Sequence, residues 1–316
     1  MFNNNNTEKQ AVEQLAEISK ELIKQNRSKT RWRRLMFLVV LTYIGIISYA
    51  SFDTRTIDKL TQKEKPFIAE VILSGVIMDG GDIEADKTIE LLTTAFSEKN
   101  SKAVILRLNS PGGSPVQSNR IYNGIKALKK QYKNKKFIVV IDDICASGCY
   151  FIASIADEIY ADKSSIVGSI GVVMSGFGFV KTIEKLGVER RLYTAGKYKG
   201  FLDSFSKEDK FARQHIQKEI LEKSHQNFIN AVKEGRGNRL GNDENLFTGL
   251  VWLGDKAIEL GLIDGIGDTK LVAKKLKIKT VVEYKVRKTL LEELMESSFK
   301  GITKATLEGF SQIKLQ

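Results

Sequence analysis

The stretch from Phe137 to Ala153 constrains the fold more than any other. An apolar, β-branched run, Ile138-Val139-Val140-Ile141, ends at Asp142 and Asp143. A small-residue turn, Ala146-Ser147-Gly148, follows, and Tyr150, Phe151, Ile152, Ala153, Ile155 and Ala156 are compatible with a helix. A strand delivered into a helix commits the chain to alternating β and α layers. The serine at the turn has two readings. Either it caps the helix through its side-chain oxygen, or it is a nucleophile set among the free N–H groups and positive potential of a helix N-terminus. This stretch alone leaves the two even.

The pattern recurs along the chain. Phe67 to Ile77 reads as a strand, bent at Gly75, and Ile89, Leu91, Leu92 and Phe96 suggest a helix. Ala103 to Leu108 is a buried strand that runs into Asn109-Ser110-Pro111-Gly112-Gly113-Ser114-Pro115 and then a helix bearing Val116, Ile121, Tyr122, Ile125 and Leu128. Short strands follow at Ile159–Ala161 and Arg191–Thr194; between them Val167–Val173 reads as Gly-punctuated strand and loop, and Phe179, Ile183 and Leu186 as one face of a helix. Lys207 to Lys233 reads as a long charged helix with Phe211, Ile216, Ile220, Phe228 and Val232 inward, and Val281 to Val286 as an added strand. The expected fold is an α/β layered one with mostly parallel strands.

The N-terminal part differs. Residues 1–34 are polar and basic, with Val12, Leu15, Ile18, Leu22 and Ile23 at helical spacing. Residues 35–52 hold 18 residues without a charge, just enough to span a bilayer. Arg31, Arg33 and Arg34 precede the run and Asp53 follows it, so the positive-inside rule places the N-terminus in the cytoplasm and the rest outside. Ser48-Tyr49-Ala50 fits a signal-peptide cleavage pattern, but the 34-residue polar lead favours an uncleaved anchor. Residues 53–65 are a linker, 66–287 the folded domain and 288–316 an amphipathic tail. The net charge of +12 comes without zinc-finger spacing, a helix-turn-helix signal or aromatic-interleaved basic strands, so an anionic membrane surface suits it better than nucleic acid.

Two turns at strand ends, Ser110-Pro111-Gly112-Gly113 and Ala146-Ser147-Gly148, fall on one edge of a parallel sheet, where ligands bind. Acyl transfer needs a nucleophile and N–H donors aimed at the developing oxyanion, and the backbones of Gly113 and Gly148 are candidates. Gly-Gly lacks the Lys-Ser/Thr ending of a phosphate-binding loop and the full dinucleotide fingerprint. A serine nucleophile also needs a base. His215 and His225 lie on the long polar helix with no motif around them and read as surface or interface residues. A lysine whose ammonium is desolvated can serve; Lys197 and Lys199, in a Gly-flanked segment, are both open. Cys145 and Cys149, spaced Cys-x3-Cys, read as buried thiols rather than a disulfide.

From about Pro66 to Lys275 the chain resembles the signal peptide peptidase A family of membrane-anchored serine peptidases, in its short, single-module branch. The resemblance rests on Asn109-Ser110-Pro111-Gly112-Gly113, Ala146-Ser147-Gly148-Cys149-Tyr150, Gly168-Ser169-Ile170-Gly171, Gly196-Lys197-Tyr198-Lys199, Phe247-Thr248-Gly249 and Gly261-Leu262-Ile263-Asp264, in that order. It implies a ClpP/crotonase-like fold behind an N-terminal transmembrane helix, and a Ser/Lys dyad without metal or nucleotide. Ser147 would be the nucleophile, Lys199 the general base, Ser169 the residue that orients the lysine, and Gly113 and Gly148 the oxyanion hole. It further implies signal peptides or other short hydrophobic peptides as substrates, cleaved outside the cytoplasm, and a homo-oligomer in which the lysine reaches a neighbouring subunit's serine. Cys149 departs from the second glycine common after Ser-Gly, and Gly200 from the small polar residue frequent after the lysine. Two other readings remain: a crotonase-like acyl-CoA enzyme using the same two amides with a carboxylate base, and a non-catalytic membrane scaffold.

Overall fold

The computed structural model describes Lys20, residues 32–45 and residues 65–285. The chain divides into two units, Met1–Thr61 and Gln62–Gln316. In the first, residues 32–45 form a helix whose side chains are all exposed. Among the described residues no helix is long and apolar enough to cross a membrane. The expected span at 35–52 continues past residue 45, outside the described residues. The amphipathic segment before residue 32 (Lys20 apart), the linker at 53–64 and the tail at 288–316 lie outside them too.

The second unit is built on a sheet ordered β6-β5-β3-β2-β1-β8, with β4 beside β3 and β7 beside β4. The strands are β1 (Phe67–Ser74), β2 (Ser101–Ser110), β3 (Lys136–Ala146), β4 (Glu158–Ala161), β5 (Ile166–Gly168), β6 (Val251–Leu253), β7 (Gly265–Ile266) and β8 (Val281–Tyr284). All pairs are parallel except β5 with β6. The helices α1 (Ala85–Ser97), α2 (Pro115–Gln131) and α3 (Gly148–Ala153) make the crossovers. They share a core with alternate residues of the strands, among them Phe67, Ala69, Val71 and Leu73 of β1 and Val104, Leu106 and Leu108 of β2. Ile68, Ile105, Ile138 and Val140 point the other way and pack with Val272 of the helix Thr269–Leu276. Burial on both faces is why these strands read as unbroken β-branched runs. Each such side chain contributes about 1.5–3 kcal/mol.

Beside β2 on one edge, strand β3 serves two neighbours on the other. Ile138–Ile141 pair with β4, and Ile144–Ala146 pair with β5. The change of partner falls at Asp142 and Asp143. Arg107 Nε donates to Asp142 at 2.8 and 2.9 Å, and Asn109 Nδ2 donates to Asp143 at 2.9 Å. These side-chain bonds from β2 span the register shift that the β2–β3 ladder shows at the same place, between Leu108 and Ser110.

Several expectations are corrected. Strand β1 stops at Ser74, before Gly75 at φ 110°. The Val167–Val173 stretch is strand and loop as expected: the strand ends at Gly168, where Gly168 and Ser169 have φ of 111° and 53°. Arg191–Thr194 form no strand; they are exposed and pair with no strand among the described residues. The long helix comprises α5 (Lys210–His215), a π-helical turn (Ile216–Glu222) and α6 (Lys223–Arg236), after the short α4 (Val180–Lys185). Phe228 and Val232 are buried as expected, whereas Phe211 and Ile220 are exposed. Cys145 and Cys149 are not free thiols but a disulfide. The cause is the backbone of the residue between them: Ser147 has a positive φ of 53°, and the reversal brings the two Cα atoms to 5.1 Å.

Candidate active site

Ser147 occupies the N-cap position of α3 but does not cap it. Its φ of 53° and ψ of −124° accompany the absence of any side-chain bond to the helix's first N–H groups. The capping reading is therefore excluded. A non-glycine residue in this region costs about 1–3 kcal/mol and persists only where its surroundings over-determine it. Here Ser147 N–H donates to Gly168 O at 2.9 Å, and Ser147 O accepts from Phe151 N–H at 3.0 Å.

The Gly112–Gly113 turn abuts this bend. Gly112 has φ 101° and Gly113 φ 148°. Ile77 N–H donates to Gly112 O at 2.9 Å and Ser114 N–H to Ile77 O at 2.7 Å, which fixes the turn against the end of β1. A β-carbon on Gly112 would stand 2.8 Å from Gly148 N, and one on Gly148 would stand 3.4 Å from Gly113 N. The amides of Gly113 and Gly148 thus converge beside Ser147, and neither has an acceptor among the described residues. Gly113 also precedes the 17-residue α2, whose dipole favours negative charge at this end.

Ser147, Gly113 and Gly148 open into a cleft of about 690 Å³. Its walls include Val116 and Tyr122 of α2, Phe151 of α3, Val172, and Phe228 and Ala231 of α6. Glu234 and Lys126 close the far end as an ion pair, and the Tyr122 hydroxyl lies 3.5 Å from Glu234. Burial, followed by the charge of Glu234, pushes the Tyr122 hydroxyl up to about 12, so it stays protonated. Sequence reasoning placed Tyr122 and Phe228 in the core but missed that they line a cleft; only the pairing of α2 with α6 reveals it.

The underside of α3 is anchored. Tyr150 OH donates to Leu262 O at 2.7 Å. Arg236, fully buried, holds Asp264 through two bonds of 2.8 and 3.0 Å and donates from Nε to Gly261 O at 2.8 Å. Burial pushes the Asp264 carboxyl up, but Arg236, the Ile159 N–H and Arg239 outweigh it and hold the carboxyl below its usual range. The Gly261-Leu262-Ile263-Asp264 motif is thus a brace beneath the nucleophile turn.

The other predicted residues stand apart. Ser169 follows the residue that accepts from Ser147 N–H, and its own N–H donates to Leu250 O at 2.7 Å. Lys199 lies exposed in the turn after Gly196 and does not line the cleft. It has no side-chain partner among the described residues. Lys197 Nζ sits 5.0 Å above the Tyr198 ring, and a hydrogen bond with Tyr198 raises its pKa. His225 donates from Nε2 to Ile170 O at 3.1 Å, and His215 is exposed; neither is bonded to Ser147.

Residues 129–283 match the model of peptidase family S49. A provisionally named signal peptide peptidase SppA of Enterococcus faecium is 31% identical over 265 residues, covering 78% of this chain and 74% of its own length. The chain belongs to peptidase family S49 and carries its serine peptidase domain. A protein of Brucella melitensis named Na(+)/H(+) antiporter NhaA is 45% identical over 224 residues, or 68% of this chain. The match spans only 30% of that protein's length. Among solved structures, a membrane-bound stomatin-specific protease aligns at TM-score 0.46 and 17% identity, over 73% of this chain and 96% of its own.

Proposed function

We propose that this chain is a membrane-anchored serine endopeptidase, with a Ser/Lys dyad, that cleaves signal peptides or other short hydrophobic peptides outside the cytoplasm. The observation that carries the reading is the uncapped Ser147 hydroxyl beside the two unpartnered amides of Gly113 and Gly148, at the mouth of a cleft whose walls mix apolar side chains such as Val116 and Phe228 with polar ones such as Asn119 and Asn227. The order of events follows from these groups. A peptide lies along the cleft with its scissile carbonyl oxygen between the two amides. A neutral lysine takes the Ser147 proton, the serine oxygen attacks, and the amides stabilise the oxyanion. The protonated lysine gives its proton to the leaving amine. Water then hydrolyses the acyl-enzyme by the same route.

Lys199 is the base in this reading. The family resemblance selects it over Lys197, because it follows Tyr198 at the position the Gly196-Lys197-Tyr198-Lys199 motif gives to the general base. Because Lys199 does not line its own chain's cleft, it acts on the serine of a second copy in a homo-oligomer. The segment that leads to it supports such an assembly: Phe177 and Tyr193 are each at least 80% exposed, an unusual apolar load for a free surface. The name of the Enterococcus relative and the uncharged run at 35–52 support the substrate class and the anchor. For the acyl-CoA reading, the carboxylate available in the cleft, Glu234, is already engaged by Lys126 and Tyr122. The test is labelling by a serine-reactive phosphonate: modification of Ser147, with loss of peptide cleavage in Ser147→Ala, supports the assignment, and cleavage by Ser147→Ala ends it.

A further inference from the structure

Ser147 is flanked by the two ends of a disulfide. Cys145 and Cys149 are both wholly buried and are bonded to one another. Cys145 belongs to the sheet, where it pairs with Ser110 of β2 on one side and Val167 of β5 on the other. Cys149 is the second residue of α3. The bond therefore joins sheet to helix across Ala146, Ser147 and Gly148, the three residues that hold the nucleophile and one of the two amides.

Those residues need outside support. Ser147 holds a backbone conformation that a non-glycine residue disfavours, and its side chain makes no cap bond that would help. Helix α3 has six residues, too few to be stable by its own hydrogen bonds. A bridge closing so short a loop constrains the unfolded chain least. Its main consequence is local: it limits the angle at which α3 leaves β3.

We propose that the Cys145–Cys149 disulfide is a clamp that keeps Ser147 and the Gly148 amide in attack geometry, so that the oxidised protein is the fast form and the dithiol protein the slow one. This rests on the reading of Ser147 as nucleophile. Reduction by dithiothreitol breaks the one S–S bond. Two electrons and two protons pass to the cysteine sulfurs, and the reagent closes to its cyclic disulfide. The cysteines are positioning residues and touch no reacting atom. In a reducing cytosol the chain stays in the slow form, and the clamp closes where disulfides persist. Peptidase activity is thereby withheld until the domain reaches an oxidising compartment.

The test uses the full chain in detergent and a fluorogenic peptide with apolar residues. Thiols are counted by alkylation and intact mass. The oxidised protein is expected to show no free thiol. Reduction is expected to lower kcat at least tenfold with KM within twofold, to slow phosphonate labelling of Ser147 in parallel, and to be reversed by reoxidation. The Cys145→Ala/Cys149→Ala variant is expected to show the same low kcat and no response to dithiothreitol. Equal kcat in both forms, a loss confined to KM, two free thiols in fully active protein, or an equal response of the double variant to dithiothreitol would each overturn the clamp. If the buried bond resists the reagent, wild-type kcat in the double variant overturns it alone. Cleavage by Ser147→Ala removes the nucleophile reading instead, so the two failures are distinguishable.

Discussion

Gly112 and Ser147 meet backbone to side chain across the sheet edge: a β-carbon on Gly112 would stand 2.9 Å from Ser147 Cβ and 2.7 Å from Ala146 O. No rotamer relieves this, because the opposing atoms include main chain and Gly112 has φ 101°. Gly112→Ala is expected to push the nucleophile turn away and to lower kcat about 100-fold, the usual consequence of misplacing a reacting group by about 1 Å. Steady-state kinetics beside a thermal melt checks this; unchanged kcat refutes the contact.

The two lysines of the Gly196–Gly200 turn are separable by substitution. Lys199→Ala is expected to abolish cleavage, whereas Lys197→Ala retains most of it. Mixing inactive Ser147→Ala with inactive Lys199→Ala is expected to restore part of the activity if each serine draws its base from another copy. No recovery after subunit exchange would place the base within the same chain.

Val116 lines the cleft and is 67% exposed, so it can be changed at little cost to the fold. Val116→Lys is expected to raise KM for apolar peptides about tenfold with kcat little changed, since one apolar contact in a pocket is worth roughly 1–3 kcal/mol. A comparison of apolar and acidic peptides of equal length decides it.

The Arg236–Asp264 pair sets a stability limit. Arg236→Met removes two of the bonds to Asp264 while Arg239 and the Ile159 N–H still hold the carboxylate, and it is expected to cost about 1.5–3 kcal/mol in denaturant unfolding. The pH dependence has a definite sign. Asp264 has its folded pKa depressed, so its contribution is present above the ordinary aspartate value of about 4 and is lost as pH falls through the lower folded value. Asp264→Asn is expected to flatten that acid limb. An unaltered limb would assign the acid sensitivity to other carboxylates.

Much of this arrangement is legible in the chain. Residues such as Ala103–Leu108 and Ile138–Ile141 announce buried parallel strands because both their faces are covered, and the two glycine turns announce the sheet edge. Three features resist sequence reasoning, each for its own reason. The Cys145–Cys149 bond depends on the backbone reversal at Ser147, which no spacing rule encodes. Arg236 sits in a helix that reads as solvated, and only Asp264, 28 residues on, makes it a buried cation. Arg191–Thr194 reads as a strand from its residue types, but it is exposed and joins no strand of the sheet, which only the tertiary arrangement reveals.

Strand β8 carries a last consequence. Ile68 to Val71 of β1 are paired along their length with Val281 to Tyr284, and the Ile68 N–H is taken by Thr280 O at 2.9 Å. These four residues are the shutter on one side of the sheet. A version of the protein trimmed before Val281 would keep Ser147, both amides and the cleft, yet bare a row of unpaired β1 groups open to lateral growth by another copy. Its shortcoming would show as fibrous or precipitated material in the tube, with chemistry intact in whatever stayed dissolved.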